Sequence, residues 1–411
     1  MSSRTLRSWN PWAGLGGLPR GVWVLAGASL VNRMGTMALP FLVLYLTNAL
    51  GFSPGRAGLV LTFYGAGSIV ASPFAGRLCD RFGAARVMRA SMFATAAVLA
   101  VFPLAKSWWV VLLATMVFSL VNEAYRPASL SVLTELAPPG RRKAVFAVSR
   151  LSVNLGMSIG PAIGGFLAQW YFASIFWVDA ATSLAAAALL AAVPLTGGGA
   201  EPDAADPSPT SAVPAVKTVS GPAWRDGALR SFLLISLLTA VVFFQQMGAL
   251  AIYMNRHLGL PVSAYGLLFT INTILIVLVE VRINLLTALW PHGRALALGA
   301  LFLGTGFGAL AFCRSGWSVA ATVVVWTLGE MILLPGMANY VAEIAPAERR
   351  GEYMGLYTAS WGIAFMLAPW AGTEILARFG GGAVWGGAFA VAAIAAILLA
   401  RLPAHHPAPA S

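Results

Sequence analysis

Apolar residues in this chain come in stretches of about twenty, parted by short polar and basic clusters. Twenty helical residues at ~1.5 Å each cover ~30 Å, the depth of a bilayer's hydrocarbon core. The stretches predict six helices in the first half, over about 21–46, 57–75, 87–104, 108–133, 144–170 and 174–194. Six more centre near Ala240, Asn272, Leu303, Thr327, Trp361 and Ala392. Between the two sets, 195–226 is rich in Gly, Pro, Ala, Ser and Asp without apolar periodicity, which reads as a flexible linker. The expectation is an all-α membrane protein of twelve transmembrane helices, with an N-terminal bundle over 1–194, a cytoplasmic linker over 195–228 and a C-terminal bundle over 229–411.

The two sets are copies of one unit. Glu135-Leu-Ala-Pro-Pro-Gly-Arg-Arg142 recurs as Glu343-Ile-Ala-Pro-Ala-Glu-Arg-Arg350, a shift of 343 − 135 = 208. The same shift carries Pro127 to Pro335, Pro161 to Pro369 and Arg86 to Arg294. Agreement at one offset points to a duplicated six-helix unit and so to two pseudo-symmetric bundles.

Composition supports the bilayer reading and narrows the function. Of 411 residues 59% are hydrophobic and 10% charged, and mean hydropathy is +0.79, more apolar surface than a soluble domain of this length could hide. The formal charge of +12 would suit nucleic acid, but its placement argues otherwise. With a cytoplasmic N-terminus, 17 of the 26 Lys and Arg fall in cytoplasmic segments, 5 in outer loops and 4 inside helices. That is the positive-inside asymmetry, so the charge orients the chain and meets lipid headgroups. Both termini are then cytoplasmic, and the first apolar run reads as a span, not a cleavable leader. Cys79 falls in the cytoplasmic loop and Cys313 near the outer end of a different helix, and the histidines 257, 292, 405 and 406 fall in loops or the tail, so no disulfide, metal site or cofactor is expected. A Gly-x-x-x-x-Gly-Lys-Ser/Thr loop is missing from the sequence, and Gly156-Met-Ser-Ile-Gly160, though it matches Gly-x-Ser-x-Gly, lies inside a membrane-length apolar run and makes no nucleophile elbow, which disfavours a nucleotide-driven pump or an enzyme.

The loop between the second and third helices reads Gly76-Arg-Leu-Cys-Asp80-Arg81-Phe-Gly83-Ala-Ala-Arg86. Gly76 leaves room for a neighbouring helix, Gly83 permits the turn, Asp80 sits at a helix end, and Arg81 and Arg86 anchor the cytoplasmic side. This pattern resembles the helix 2–3 signature of the major facilitator superfamily, G-x-L-x-D-R-x-G-x-x-R. The resemblance implies the fold of that family and a cytoplasmic latch of Asp80, Arg81 and Glu135. The second copy lacks it, since Asp80 maps to Ala288 and Gly83 to Pro291.

Helix 5 carries Gly156-Met-Ser-Ile-Gly160-Pro161-Ala-Ile-Gly164-Gly165. Glycines at this spacing stack on one face and admit a close backbone, while Pro161 bends the helix. The stretch resembles the helix 5 signature of the drug/proton antiporter branch, which implies export by exchange. Several exporters of that branch hold an acid in helix 1, where this chain has Asn32-Arg33.

Ionisable residues at mid-membrane cost about 2.5–3.5 kcal/mol each and so mark function or pairing. Arg33 on helix 1, Glu123 and Arg126 on helix 4, Gln245 and Gln246 on helix 7 and Glu330 on helix 10 lie at similar depth. Helices 1, 4, 7 and 10 line the cavity in the resembled family. Glu123 and Arg126, three apart, share a helix face, either as a structural pair or as partners exchanged during transport with Arg33. Glu330 has no cation within four residues on its helix, which fits a proton carrier or a neutral acid bonded to a neighbouring helix. Arg150 and Asn154 either line the inner cavity or, for Arg150, reach the headgroups; Glu280 and Arg282 form a gate or an interfacial contact. Four arginines (33, 126, 150, 282) balance four acids (123, 179, 280, 330), so no net field selects cations.

These readings converge on a secondary transporter of a bacterial inner membrane, working as a monomer by alternating access. It is expected to export a small amphipathic compound, drug or metabolite, in exchange for protons, with the proton gradient in place of a cofactor. Symport or uniport uptake of a nutrient or metabolite is the alternative.

Overall fold

The computed structural model describes residues 17–138, 141–192, 222–287 and 290–402. Arg4, Arg7, the linker positions 195–221, His405, His406 and Ala288, the counterpart of Asp80, lie outside the described residues. The membrane-length helices are α1 (Arg20–Ala49), α2 (Pro54–Phe82), α3 (Ala84–Leu104), α4 (Trp108–Leu136), α5 (Arg142–Trp170), α6 (Ala173–Ala192), α7 (Gly227–His257), α8 (Val262–Thr287), α9 (His292–Phe312) and α10 (Gly316–Ile344). The last rod, Arg350–Ala400, has 51 residues, ~76 Å of helix and more than two bilayer cores. Gly380 breaks it with φ 78°, giving α11 (350–379) and α12 (381–400) and twelve spans among the described residues. Residues 222–228, assigned to the linker from sequence, instead form a 3₁₀ turn at Ala223–Arg225 and the first turn of α7, capped by Asp226 through the Ala228 amide at 2.8 Å.

The duplication is visible in backbone irregularities. Both α1 and α7 end in a π turn, Tyr45–Ala49 and Tyr253–His257, 208 residues apart. Each is followed by a glycine with positive φ, Gly51 at 70° and Gly259 at 64°. Each third helix of a set ends in a 3₁₀ turn, Phe102–Leu104 and Leu310–Phe312. Element boundaries follow the same rule: α2 and α8 begin at 54 and 262, α5 and α11 at 142 and 350.

Within the first bundle α1 packs on α5 and α6, α3 on α6, and α2 on α4; in the second, α7 packs on α11, α9 on α10 and α12, and α8 on α10. The bundles meet along α5–α8 and α2–α11. The α2–α3 turn and Arg141, Arg349 and Arg350 gather at one end of the molecule, its basic end.

The bundles converge at the opposite end. A β-carbon on Gly65 of α2 would come within 2.9 Å of the Met366 Cα of α11, and one on Gly165 of α5 within 2.8 Å of the Ser263 Cα of α8. Asn48 Nδ2 donates to Asn255 Oδ1 at 2.9 Å and Arg256 to the Thr47 carbonyl at 2.8 Å, tying the two π turns together. Near the basic end the seam is open: a β-carbon added to Gly76 of α2, or to Gly351 or Gly355 of α11, would meet no atom within 4 Å. The buried apolar core follows this division. One cluster runs through the second bundle and the opposite end of the first, while the basic end of the first bundle has its own cluster around Val22, Met88, Val132 and Ala186. The bundles thus touch closely at one end, and at the other the α2–α11 seam is split.

Candidate functional site

Helix α4 breaks at Ala124 into Trp108–Glu123 and Tyr125–Leu136. Pro127 has no amide proton for the Glu123 carbonyl, and its ring crowds that turn. The expected Glu123–Arg126 pair does not form: the two side chains make no ion pair within 4 Å, and the Arg126 side chain is exposed. Glu123 is instead held across the bundle. The Tyr64 hydroxyl of α2 donates to Glu123 Oε1 at 3.0 Å and accepts from Asn122 Nδ2 at 2.8 Å, and Ser119 Oγ donates to the Tyr64 carbonyl at 2.6 Å.

Glu330 lies at the corresponding helix contact of the other bundle, one residue before the counterpart of Glu123, Met331. Asn272 Nδ2 of α8 donates to Glu330 Oε2 at 2.7 Å and to Thr327 Oγ1 at 3.0 Å. Tyr64, Ser119 and Asn122 plus 208 are Asn272, Thr327 and Glu330, so one polar contact is built twice. Sequence reasoning passed over Tyr64, Ser119, Asn122 and Thr327; applying the 208 shift to in-span polar residues would have found them.

Arg33 lies where α1 meets α4 and α5. A β-carbon on Gly156 would come within 2.5 Å of the Arg33 Cβ, so the glycine makes room for this arginine. The guanidinium carbon lies 5.7 Å from the Tyr125 ring centroid, and its buried Nε has no hydrogen-bond partner. Asp179 and Tyr64 are within its electrostatic reach. Asp179 is engaged elsewhere: Oδ2 accepts from the Met37 and Ala38 amides at 3.3 and 3.1 Å and caps the helix that restarts after the Gly35–Met37 break in α1. Asn32, expected in the cavity, faces α6 and donates to Ser183 Oγ at 3.2 Å. Gln245 is buried between α7 and α11, donating to the Ala368 carbonyl at 3.2 Å, and Gln246 is buried with its carbonyl accepting from the Tyr265 hydroxyl at 2.8 Å. Gln245 thus bridges α7 and α11, with its Oε1 buried and without a hydrogen-bond partner, and the Gln246 contact is made by its backbone.

A wall of rings joins the bundles beside Glu123. Tyr64 meets Phe118 of α4 at 5.4 Å and Phe365 of α11 at 6.0 Å between centroids. Phe365 meets Phe244 of α7 at 5.0 Å, and Phe244 and Phe243 each meet Trp361 at 5.8 Å. Phe243, Phe244, Trp361 and Phe365 are only partly buried, so they present ring surface as well as packing.

The α5 motif serves two neighbours. Gly156, Gly160 and Gly164 face α1, where a β-carbon on Gly160 would come within 2.8 Å of the Met34 carbonyl oxygen. Gly165 faces α8, and the Pro161 carbonyl lies against Gly266. Lower down, Arg150 reaches Glu280 of α8 at 3.2 Å; Asn154 is half-buried and Arg282 exposed. The expected latch is open. Asp80, Arg81 and Glu135 are exposed and make no ion pair with one another, and α2 has no close neighbour at Gly76; Arg81 stacks on the Phe82 ring at 5.2 Å, and Gly83 turns with φ 85°. Arg86 is likewise exposed. Cys79 and Cys313 are both free.

Several known transporters resemble this chain over most of its length. The chain is 26% identical over 363 residues to the uncharacterized MFS-type transporter YqjV of Bacillus subtilis, covering 88% of this chain and 87% of the relative. It is 24% identical over 379 residues to a Na(+), Li(+), K(+)/H(+) antiporter of Planococcus maritimus, covering 84% of this chain and 87% of the relative. A crystal structure of a peptide transporter POT superposes with a TM-score of 0.74 at 19% identity, over 98% of this chain and all of that one, which bears on fold alone. The sequence profile of the Major Facilitator Superfamily matches residues 25–247 and 232–410, and the chain belongs to that superfamily of membrane transporters.

Proposed function

We propose that this transporter exports a small amphipathic compound in exchange for protons, by alternating access between the two bundles. The observation that carries the reading is an acid at the polar contact of each bundle: Glu123 and Glu330 each sit beside a hydrogen-bonding partner on the neighbouring helix, one residue apart in the repeat. A carboxylate held this way at mid-membrane is stabilised whether charged or protonated, which suits a group that gains and loses a proton each cycle. The open basic end faces the cytoplasm of a bacterial cell, by the positive-inside rule, with both termini on that side and the chain working as a monomer. The proton gradient drives the cycle without a cofactor. In the inward-open arrangement compound enters from the cytoplasm. Rocking the bundles would close the α2–α11 split, bring Asp80, Arg81 and Glu135 together and open the opposite end. The antiporter among the relatives supports exchange by analogy.

The test uses proteoliposomes containing a pH-sensitive dye and a mixed panel of lipophilic ions, neutral drugs and lysolipids. Compound moving one way is expected to drive protons the other, and Glu330→Gln and Glu123→Gln are expected to abolish gradient-driven flux at normal expression. Normal flux in both variants removes the proton-carrier assignment, and protons travelling with the compound replace exchange by symport.

A further inference from the structure

Hydrogen-bonding demand inside the molecule is lopsided. The three mid-span acids are each supplied with donors: Glu123 by Tyr64, Glu330 by Asn272, and Asp179 by two backbone amides. Two mid-span arginines are not supplied with acceptors. Arg33 makes no hydrogen bond or ion pair among the described residues, and its Nε is buried without a partner. Arg126 is exposed and likewise makes neither among the described residues. A guanidinium carries five donors and no acceptor, and a buried donor left unmet is costly, so Arg33 calls for an acceptor brought from outside, while Arg126 keeps its donors free for one. An exposed arginine at mid-depth must open onto water and not onto acyl chains.

We infer that Arg33 and Arg126 form the head-group site for an anionic amphiphile, its carboxylate or sulfonate held by the two guanidinium groups and its apolar body lying on the rings of Phe365, Phe244 and Trp361. The parts of the site are joined along α4: Arg33 lies over the ring of Tyr125, the residue before Arg126, and Glu123, one turn back, bonds Tyr64, which is in ring contact with Phe365. The cationic part belongs to the first bundle alone, since the shift of 208 carries Arg33 to Val241 and Arg126 to Leu334. The aromatic part comes mostly from the second bundle, on α7 and α11. A ligand of this kind bridges the bundles and is released as they move apart. Two planar forks on one carboxylate give directional, charge-assisted bonds that a cationic or neutral head cannot match.

This site rests on the transport reading, and binding measured without a gradient separates the two. Purified protein in detergent is titrated with 2-naphthoate, 2-naphthamide and a naphthyl trimethylammonium salt, which share a ring system and differ in head. 2-Naphthoate is expected to bind about tenfold more tightly than the amide, and Arg33→Gln or Arg126→Gln to erase that advantage. The amide serves as the folding control, because its binding needs neither arginine. Should Arg33→Gln fail to fold, the exposed Arg126→Gln decides alone. Preference for the ammonium salt in the wild type, or undiminished naphthoate binding in folded Arg126→Gln and Arg33→Gln, overturns the proposal. Retained naphthoate binding with no proton exchange in liposomes removes the exchange reading and leaves the anion site standing.

Discussion

At the α2–α4 contact of the first bundle and the α8–α10 contact of the second, the same three positions are polar, yet the two sites are not copies. In the second bundle the carboxylate is the repeated residue itself, Glu330, taking one amide donor. In the first bundle that position is Asn122, and the carboxylate has moved one residue on, to Glu123, next to the Pro127 break. Cations follow only one side: Arg33 and Arg126 have apolar counterparts in Val241 and Leu334. Duplication thus fixed where polar groups could sit between helices, and divergence set their charge. One bundle keeps an acid in a quiet pocket; the other places an acid and two arginines around a broken helix.

The largest expected effect concerns packing, where the two copies also differ. The α5 face with Gly156 and Gly160 corresponds to Ala364 and Ala368 on α11. On α5 even one added carbon at Gly160 would come within 2.8 Å of a backbone oxygen of α1. Gly160→Leu therefore cannot be absorbed by a side-chain shift and should displace α1, losing folded protein or at least several kcal/mol of stability. Ala368→Gly on α11 should cost only about 1 kcal/mol, from helix propensity and one lost methyl. Thermal unfolding of purified variants checks both, and equal effects would mean that the two helices do the same work.

A smaller effect probes the acid sites directly. Asn272→Leu leaves Glu330 without its donor, and Tyr64→Phe does the same to Glu123. A buried acceptor stripped of its partner costs about 1–3 kcal/mol. The loss should be fuller at Glu330, which depends on Asn272 alone among the described hydrogen bonds, than at Glu123, which is near the water reached by Arg126. Unfolding measurements on the two variants rank them; the reverse order would show that the N-terminal site is the more buried of the two.

Much of this was legible from sequence, and the misses share one cause. Helix count, the glycine faces of α5 and the repeat follow from apolar runs and a single offset, because these depend on what one helix or one pair of positions presents. Glu123 and Arg126 have i, i+3 spacing yet do not pair, because Glu123 is turned to Tyr64 of α2 while Arg126 is exposed. Asn32 and Gln245 were polar at the right depth but turned toward α6 and α11, since depth is set along the chain whereas facing is set by neighbours. The latch residues match their motif and make no latch here, because a motif does not say which conformation the bundles hold.

The smallest effect concerns how the bundles stay joined. Arg150 and Glu280 tie α5 to α8 at 3.2 Å, whereas the position equivalent to Arg150 on α11 is Thr358, whose hydroxyl donates only to its own helix at the Met354 carbonyl. This ionic tie sits on the seam that remains closed toward the basic end, opposite the seam that has parted at Gly76. The Arg150 side chain is 70% exposed, so water and salt screen the attraction and ordering a long side chain offsets part of it. Arg150→Gln should then lower stability by less than about 1 kcal/mol, and raising the salt concentration should reproduce the loss in the wild type. Spin labels on α5 and α8 near the basic end should report a shift of their distance distribution toward longer values in the variant, with labels on α2 and α11 unchanged. A stability loss several times larger, insensitive to salt, would mean that the pair is a structural pillar of the seam, and a matching shift on α2 and α11 would mean that both seams open as one.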